Sequence, residues 1–358
     1  MIQSSSQLTN FLDRASDQPQ IGFDTEFLRV KTFFPRLCLL QVSWPGTTEC
    51  VDPLPSESHE RLQQFLQSYQ GALIIHAASQ DLEVLHHTYQ LPPLTIFDTQ
   101  VAAAMLGMGA QLSYAALVDR ICGVVLEKSQ TRTDWCKRPL TDAQIEYARG
   151  DVAYLPELHR FLSGRLRDTQ RSYWLTEDCQ ASCRQYADPN VPPPPVVKGG
   201  FDLPTDAQHR LWRLMNWRES RARQRDLPRE WVISSSDLVS IARRHPVTRA
   251  ELISLCSSSR MLERNANAIL EAMNEAAVVS PHGMWQKTDV LSEAEKVLVK
   301  KLQTELRRLS EQADVEATLV ANRRSLENLV RGSSTALDSG WRHEFAGRHL
   351  KKLLAESF

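Results

Sequence analysis

The chain has 358 residues and a mass of 40.7 kDa, enough for two or three domains of ordinary size. Its 42% hydrophobic and 24% charged residues are typical of a globular protein and exclude wholesale disorder, a collagen repeat and a membrane-embedded chain. The net charge of −1 is the sum of two parts of opposite sign, because residues 1–160 hold 12 basic and 18 acidic residues while the rest of the chain has a basic excess. This distribution suits cation binding in the first part and polyanion binding in the second.

The first hundred residues alternate between strand and helix patterns. Apolar runs rich in β-forming residues are QIGFDTEF, RLCLLQVS, TECVDP and GALIIHAA. Segments with a helical period, HERLQQFLQSYQ and SQDLEVLHHTYQ, lie between or after them. This alternation predicts an α/β domain.

Two acids stand two residues apart in the first of these strands. Because positions i and i+2 of a strand point to the same face, Asp24 and Glu26 are predicted to project together. Neighbouring carboxylates beside an apolar run repel one another and lose hydration, and a divalent cation between them removes both costs. The alternative interpretation is a solvated strand end.

Three further residues fit the same chemistry. Asp81 follows the strand GALIIHAA at the start of a predicted helix, where open α/β sheets place their ligands. Tyr147 and Asp151 in EYARGD are spaced i, i+4, so they share one helical face and can act on one water molecule. A packed tyrosine and surface acids are the alternative interpretation.

The rest of the chain is predicted to be helical from Ser113 onward. The segment ADPNVPPPPVVKGG, residues 187–200, predicts a semi-rigid proline-rich linker. A division near residues 280–292 gives two helical units of similar order, which raises the hypothesis of a diverged internal duplication.

The motifs DxE, HAxxxD and YxxxD, in this order, resemble those of the DEDD exonuclease superfamily in its tyrosine subclass. The segments IGFDTEFLRVKTFFPRLCLLQVS, IIHAASQDLEVL, KSQTRTDWCKRPLT and YARGDVAYL resemble the ribonuclease D family, and the helical tail is similar to its two HRDC-type domains. The resemblance implies a ribonuclease H-like exonuclease domain with a mixed sheet at 1–165, a helical connector and linker at 166–202, and HRDC-type domains at 203–283 and 284–358.

The resemblance also implies a site with two divalent cations, Mg²⁺ or Mn²⁺. Asp24, Glu26 and Asp151 would hold the first ion, with Asp24 bridging to the second and Asp81 reaching that second ion. Tyr147 would orient the attacking water. Its ordinary pKa near 10 makes a phenol a poor general base, so the metal is expected to activate the water.

Four residues near these motifs are candidate substrate contacts. Phe27 follows the paired acids and would pack against the terminal base or sugar, and His76 ends a strand beside the site. Asp134 and Trp135 lie in the segment TRTDWCKRPL. The alternatives are a core phenylalanine, a core histidine and a solvated charged turn.

The basic part of the chain begins with an arginine-rich helix pattern after the linker. Arg213, Arg218 and Arg221 are candidate RNA contacts, since guanidinium groups bind phosphates and stack on bases. Trp212 and Trp217 lie among them, but their spacing places them on different helix faces, so at least one is predicted to be in a core. A solvated charged face is the alternative.

The function predicted from the resemblance is a metal-dependent 3′-to-5′ exoribonuclease that releases nucleoside 5′-monophosphates and trims RNA with a single-stranded 3′ end, with tRNA precursors as the substrate class. A DNA exonuclease of the same superfamily, a catalytically silent RNA-binding adaptor and a helical scaffold are the alternatives. No GxxxxGK[ST] motif accompanies the acids, which disfavours a helicase or polymerase context.

The seven cysteines are odd in number and widely spread, so the sequence predicts reduced, buried thiols in a cytoplasmic protein. No basic region followed by an apolar run opens the sequence, and no long apolar run occurs, so no membrane association is expected. The resemblance favours a monomer.

Overall fold

The computed structural model describes residues 1–2, 4–126, 133–187, 197–255, 260–274 and 291–357. Most of the predicted linker at 187–200, most of the predicted boundary at 280–292, and Cys256 lie outside the described residues.

A five-stranded mixed sheet forms the centre of the N-terminal part, as the sequence predicts. The strand order is β3-β2-β1-β4-β5, with β2 antiparallel to both β1 and β3, and with β4 parallel to both β1 and β5. All of β2 except its first residue is buried, which explains its continuous apolar sequence. The strands are β1 Gln20–Leu28, β2 Arg36–Trp44, β3 Thr47–Val51, β4 Ala72–Ile75 and β5 Ile96–Asp98.

Eight helices in the described residues accompany this sheet and lead away from it. Several begin at side chains that cap them, and the helix that holds Tyr147 and Asp151 begins with a capping box formed by Thr141 and Gln144. The helices are α1 Ser5–Ser16, α2 Ser56–Ser68, α3 Ser79–Tyr89, α4 Thr99–Met105, α5 Tyr114–Cys122, α6 Asp142–Ala153, α7 Leu155–Asp168 and α8 Ser172–Ala187.

Close packing of α7 on the sheet depends on one glycine. A Cβ atom on Gly22 would lie 2.9 Å from the Cβ of Leu155 and closer still to the Ser43 hydroxyl. Ser43 in turn donates a hydrogen bond of 2.6 Å to the carbonyl of Val152 at the end of α6. The α6–α7 junction is therefore fixed against β1 and β2, immediately beside Asp24.

The C-terminal part is helical and contains an internal repeat. Its first run is α9 Thr205–Arg225, α10 Arg229–Val232, α11 Ser235–Arg244, α12 Arg249–Leu255 and α13 Arg260–Asn274. Its second run is α14 Glu293–Ala313, α15 Ala317–Val320, α16 Arg323–Val330, α17 Gly340–Arg342 and α18 Arg348–Ala355, with short turns beside α17.

A constant shift of 88 residues relates the two runs. Thr205 corresponds to Glu293, Arg229 to Ala317, and Arg260 to Arg348, and each of these residues begins a helix. The left-handed residues that end α9 and α14, Asp226 with φ 48° and Asp314 with φ 52°, also correspond. The structure therefore supports the hypothesis of an internal duplication.

The chain divides into two compact units that differ from the contiguous domains expected from the sequence. Unit 1 contains Met1–Leu28, Arg36–Pro189 and Leu291–Phe358, and unit 2 contains Arg29–Pro35 and Asn190–Val290. The second helical run therefore belongs to the same unit as the sheet, and the short segment between β1 and β2 belongs to the unit of the first run.

In unit 1 the second helical run packs against α8. The ring of Trp341 stacks on that of Trp174 with centroids 4.4 Å apart, and its Nε1 donates to Asp178 at 2.9 Å. Arg342 binds both oxygens of the same Asp178, at 2.5 and 2.9 Å. Since the stacked ring of Trp341 is fully buried, this contact is part of the core of unit 1.

In unit 2 the segment before β2 is bound to the first helical run. Phe33 lies in the apolar core of this unit, and one carboxylate oxygen of Asp226 accepts hydrogen bonds of 3.0 Å from the backbone N–H groups of Phe33 and Phe34. The guanidinium of Arg229 lies 4.5 Å from the centroid of the Phe33 ring.

The prediction that the cysteines are reduced is wrong for two of them. Cys38 on β2 and Cys136 form a disulfide, because packing of the 133–140 segment against β2 brings their Cα atoms to 4.9 Å. Cys50, Cys179 and Cys183 are buried thiols, as expected. None of the helices in the described ranges combines the length and apolar content that crossing a bilayer requires.

Candidate active site

The paired acids lie on the central strand, as predicted. Asp24 stands opposite Gln41 of β2, and Glu26 stands opposite Leu39, so the two carboxylates share a face with these residues. The register shifts between Glu26 and Phe27, so regular alternation ends directly after the acids. Phe27 is partly buried against the core of unit 1, and its contact with substrate stays a prediction.

Asp81 lies in the first turn of α3, as the sequence predicts, and it is only 6% exposed. The hydroxyl of Thr25, the residue between the two acids, donates a hydrogen bond of 2.6 Å to its Oδ1. This bond links the start of α3 to the strand that holds Asp24 and Glu26.

The turn from β4 to α3 is held by a second buried acid, Asp98. Its carboxylate accepts hydrogen bonds from the N–H groups of Ala77 at 3.2 Å and Ala78 at 2.9 Å. It also caps α4 through the N–H groups of Gln100 and Val101. Ala77 has φ 59°, a conformation that costs a non-glycine residue energy, and Asp98 compensates this cost while it aims Asp81.

Tyr147 and Asp151 lie on the same helix, α6, whose carboxyl end is fixed by Tyr114. The Tyr114 hydroxyl donates to the carbonyl of Gly150 at 3.1 Å and accepts from the N–H of Tyr154 at 3.1 Å. These bonds satisfy backbone groups where α6 ends and α7 begins. Asp24, Asp151 and Tyr114 line one small cavity of about 90 Å³ together with Phe23, His76 and Leu155.

The pKa values of Asp24 and Glu26 respond both to burial and to the neighbouring carboxylates. Burial raises the pKa of Asp24 well above its ordinary value, and the charges of Asp81, Asp151 and Glu26 raise it further. Burial, with the charges of Asp151 and Asp81, raises the pKa of Glu26 to about 8.

Burial also raises the pKa of Asp81 and that of Asp151, each to about 7. For Tyr147, burial is the main cause of a raised pKa, and Asp151, Glu26 and Asp24 add to it. The phenol therefore stays protonated at neutral pH and can donate a hydrogen bond but cannot serve as a base.

The donor set fits hard divalent cations. Carboxylates from three elements are near enough for the charges of Asp81 and Asp151 to raise the pKa of Asp24 and that of Glu26, in addition to the effect of burial. Hard divalent cations prefer such oxygen ligands. In the described ranges no group of three or more acidic, His or Cys side chains has a ready-made ligand arrangement. The fit therefore rests on the charge and chemistry of the donors.

Burial contradicts the prediction that Trp135 contacts the substrate. It is 3% exposed, so it is not available to RNA, because it packs in a small cluster with Cys38, Leu140 and Ala148. Its ring centroid lies 6.1 Å from that of Tyr147, so it supports the tyrosine.

The other two candidate contacts near the site have partners in the fold. Both ring nitrogens of His76 are engaged, by the Thr99 hydroxyl at 2.9 Å and by the Leu112 carbonyl at 3.0 Å, which favours the core-histidine interpretation. Asp134 is exposed, and its Oδ1 accepts from the N–H of Cys136. Its contact with RNA stays a prediction.

Burial also contradicts the prediction that Arg218 contacts RNA. It is 3% exposed, and its guanidinium binds Glu230, the Ile233 carbonyl and Ser235 within unit 2. It is therefore a core residue of the first helical run rather than an RNA contact.

Two other arginines of α9 are partly buried, and their contact with RNA stays a prediction. Arg213 donates to the Met273 carbonyl at 2.8 Å, and Arg221 donates to Gln224 and Asn265. Both Trp212 and Trp217 pack partly buried against the core of unit 2.

Sequence reasoning missed four residues that build the site: Thr25, Gln41, Asp98 and Tyr114. Thr25 and Gln41 looked like ordinary strand residues, although Gln41 is fully buried opposite Asp24 and neither amide atom has a hydrogen-bond partner among the described residues. A buried polar residue in an apolar strand is a signal of this role. Asp98 caps α4 locally, but its partners in the β4–α3 turn, like those of Tyr114, are 20 or more residues away, so the sequence gives no local signal of these bonds.

Comparison with known proteins agrees with this geometry. The family model described as 3′-5′ exonuclease matches residues 1–167, and the HRDC domain model matches residues 208–273. A ribonuclease D from Jannaschia sp. (strain CCS1) is 34% identical over 370 residues, covering 99% of this chain and 94% of the relative. The chain belongs to the ribonuclease D family. It is therefore a 3′-5′ exoribonuclease.

Two further relatives describe how far the likeness extends. A ribonuclease D from Xanthomonas oryzae pv. oryzae is 32% identical and covers 99% of this chain and 98% of its own. The crystal structure of Escherichia coli RNase D, described as an exoribonuclease involved in structured RNA processing, matches with a TM-score of 0.84 and 28% identity over 99% of this chain and 98% of that one. Ribonuclease D exonuclease domains depend on divalent metal ions, in agreement with the donor set.

Proposed function

We propose that the chain hydrolyses the 3′-terminal phosphodiester bond of RNA with two divalent cations, Mg²⁺ or Mn²⁺, and releases nucleoside 5′-monophosphates. The observation that carries the proposal is the grouping of four carboxylates beside the central strand, where the charges of Asp81 and Asp151 add to burial in raising the pKa of Asp24 and that of Glu26. Asp24, Glu26 and Asp151 would hold one ion, and Asp24 with Asp81 would hold the other. Bound ions would supply the Lewis acid that activates water and stabilises the leaving oxygen.

In this proposal Tyr147 orients the attacking water. Its raised pKa keeps the hydroxyl protonated, and its hydrogen bond with Asp151 fixes the direction of the oxygen. Trp135 restricts the phenol ring from one side. Thr25 and Asp98 keep Asp81 at its place on α3. Loss of such positioning of a reacting water costs about 10²-fold in rate.

The proposed substrates are RNAs with a single-stranded 3′ end, with tRNA precursors as the substrate class, and the proposed state is a cytoplasmic monomer. The description of the Escherichia coli relative as an enzyme of structured RNA processing supports this substrate class. We assign catalysis to residues 1–165, the connection to 166–202, and RNA binding to the helical residues 203–283, with 284–358 as a second domain of the same type. The numbering shift between the two helical runs supports a second domain of the same type.

The test is cleavage of a single-stranded RNA carrying a 5′ label, beside a DNA of the same sequence. Purified protein with Mn²⁺ or Mg²⁺ should shorten the RNA one nucleotide at a time, and a chelator should stop it. Asp24→Ala should abolish cleavage, while Asp119→Asn, at an exposed position on α5, should leave it unchanged. Full activity of Asp24→Ala would refute the site, and equal cleavage of the DNA would refute the preference for RNA.

A further inference from the structure

Unit 2 contains a cavity of about 270 Å³ that the proposed catalytic function does not use. It is lined by Arg221, Arg225, Leu227, Val232, Arg264 and Asn265. Three of these six residues are arginines, and no acidic side chain lines the cavity in the part of unit 2 that the structure describes. A concave surface with this lining has the charge and shape to bind an anion.

The internal repeat provides a control within the same chain. At the positions shifted by 88 residues, the second helical run has Leu309 in place of Arg221, Ala313 in place of Arg225, and Leu353 in place of Asn265, whereas the counterpart of Arg264 is the basic Lys352. All three of these apolar residues pack against the core of unit 1. The counterparts of Leu227 and Val232 are the buried Val315 and Val320.

The fold of the repeat therefore does not need polar residues at the positions of Arg221, Arg225 and Asn265. In the second run an apolar core fills them, whereas in the first run Arg221 and the buried Asn265 occupy them and leave a cavity. Burying polar groups lowers stability unless they are fully hydrogen-bonded. Arg221 donates to Gln224 and Asn265 through its terminal nitrogens, but its buried Nε has no partner among the described residues.

The remaining arginines are placed to complete an anion site. Arg225 and Arg264 are exposed at the mouth of the cavity, one near the end of α9 and the other on α13. Guanidinium groups from two helices that converge on one cavity suit a phosphate, because they donate several hydrogen bonds to its oxygens in fixed directions.

We propose that this cavity binds a phosphate of the RNA backbone and holds the substrate while its 3′ end is cut. The proposal rests on the proposed exoribonuclease function and adds to it a specific contact outside the catalytic residues. Its ligand is a phosphate group on a nucleic-acid chain, and the site belongs to the first helical run alone, since the second run has closed the equivalent space with apolar side chains.

The test measures binding of a fluorescent single-stranded RNA of twelve nucleotides to the full-length protein in chelator, so that no cleavage interferes. The double variant Arg225→Glu with Arg264→Glu should raise the Kd about tenfold or more and flatten the slope of log K against log salt by roughly 0.7 for each phosphate that the variant no longer binds. The matched control is Arg243→Glu with Arg244→Glu, which makes the same change of charge on exposed residues of α11. Equal effects of the two pairs would overturn the proposal.

A second variant separates weaker binding from failure to fold. Arg221→Leu with Asn265→Leu introduces the residues of the second run, so the thermal midpoint should stay the same or rise while the RNA affinity falls. Unchanged RNA affinity in this variant would overturn the proposal. Thermal shifts with inorganic phosphate and with a nucleoside monophosphate distinguish a phosphate of the RNA backbone from a free phosphate. If these small anions stabilise the protein while both variants keep the RNA affinity of the wild type, the site binds a free phosphate instead.

Cleavage of a dinucleotide distinguishes this inference from the proposed function. A dinucleotide without terminal phosphates has a single phosphodiester group, which the catalytic residues must hold, so the cavity variants should cleave it at the wild-type rate. A wild-type protein that binds RNA through the cavity but cleaves nothing would refute the catalytic proposal alone.

Discussion

Replacing Asp151 with asparagine should stabilise the metal-free protein at pH 8 while it removes most of the exonuclease activity. Asparagine has nearly the same shape as aspartate but does not ionise. Burial is the main cause of the raised pKa of Asp151, so the cost that the substitution removes is the cost of a buried negative charge.

The size of the effect follows from the pKa. In the folded state the pKa of Asp151 is about 7, against 3.8 in the unfolded chain. This difference of about three units, at about 1.4 kcal/mol for each, corresponds to roughly 4 kcal/mol of stability. Between these two pKa values the folded state holds a proton that the unfolded state has lost. The wild type therefore keeps this contribution to its stability in full below pH 4, loses it progressively as the pH rises, and lacks it above pH 7. The advantage of the asparagine variant grows over the same range.

The assay is thermal or urea denaturation of the full chain in chelator at pH 4.5, 6 and 8. The free energy of unfolding of the Asp151→Asn variant should exceed that of the wild type by only about 1 kcal/mol at pH 4.5 and by about 2–4 kcal/mol at pH 8. Divalent cation at a hundred times its Kd should stabilise the wild type by about 2.7 kcal/mol and the variant by much less.

The control and the refuting results are equally specific. Asp119→Asn removes one negative charge from an exposed position and should change the stability little at any of these pH values. A difference between Asp151→Asn and the wild type that does not vary with pH would refute the reasoning, as would a variant that is less stable than the wild type at pH 8.

Two other predictions concern residues that orient the site. Tyr147→Phe should lower kcat by about 10²-fold with little change in KM, because the attacking water loses the phenol oxygen that orients it while substrate binding is retained. Tyr173→Phe, which removes an exposed hydroxyl bonded to Glu344, is the control. A wild-type kcat for Tyr147→Phe would contradict the assignment. Asp98→Ala should lower the thermal midpoint and kcat together, since it leaves the N–H groups of the β4–α3 turn and of α4 unpaired at a cost of about 1–3 kcal/mol. Asp98→Asn should recover part of both. A decrease in stability with unchanged kcat would show that Asp98 does not position Asp81.

Local spacing was sufficient to predict the strand and helices that hold the candidate catalytic residues. The alternation of IGFDTEF placed Asp24 and Glu26 on one face of a strand, and the i, i+4 spacing placed Tyr147 and Asp151 on one helix. The strand followed by a helix start also located Asp81 correctly. These predictions depend only on the periodicity of strands and helices, which the local sequence determines.

The residues that orient those elements could not be predicted in this way. The bond from Thr25 to Asp81 spans 56 residues, and the disulfide partners Cys38 and Cys136 are 98 residues apart, so only the folded chain brings them together. Arg218 and Trp135 were misassigned for a related reason. An arginine or a tryptophan has the same chemistry in a core as on an RNA-binding surface, and burial decides which role it has.

The grouping of the second helical run with the sheet changes how a minimal catalytic fragment must be cut from this chain. A truncation at the proline-rich segment would strip Trp341 and Arg342 from α8, leaving the Trp174 ring exposed and Asp178 without its ionic partner. The sheet, α8 and the last helices form one compact body that is interrupted in sequence by the short segment Arg29–Pro35 and by the first helical run. A minimal fragment should therefore be made by deleting the first helical run, α9–α13, and joining the flanking segments, so that the C-terminal helices stay part of the nuclease.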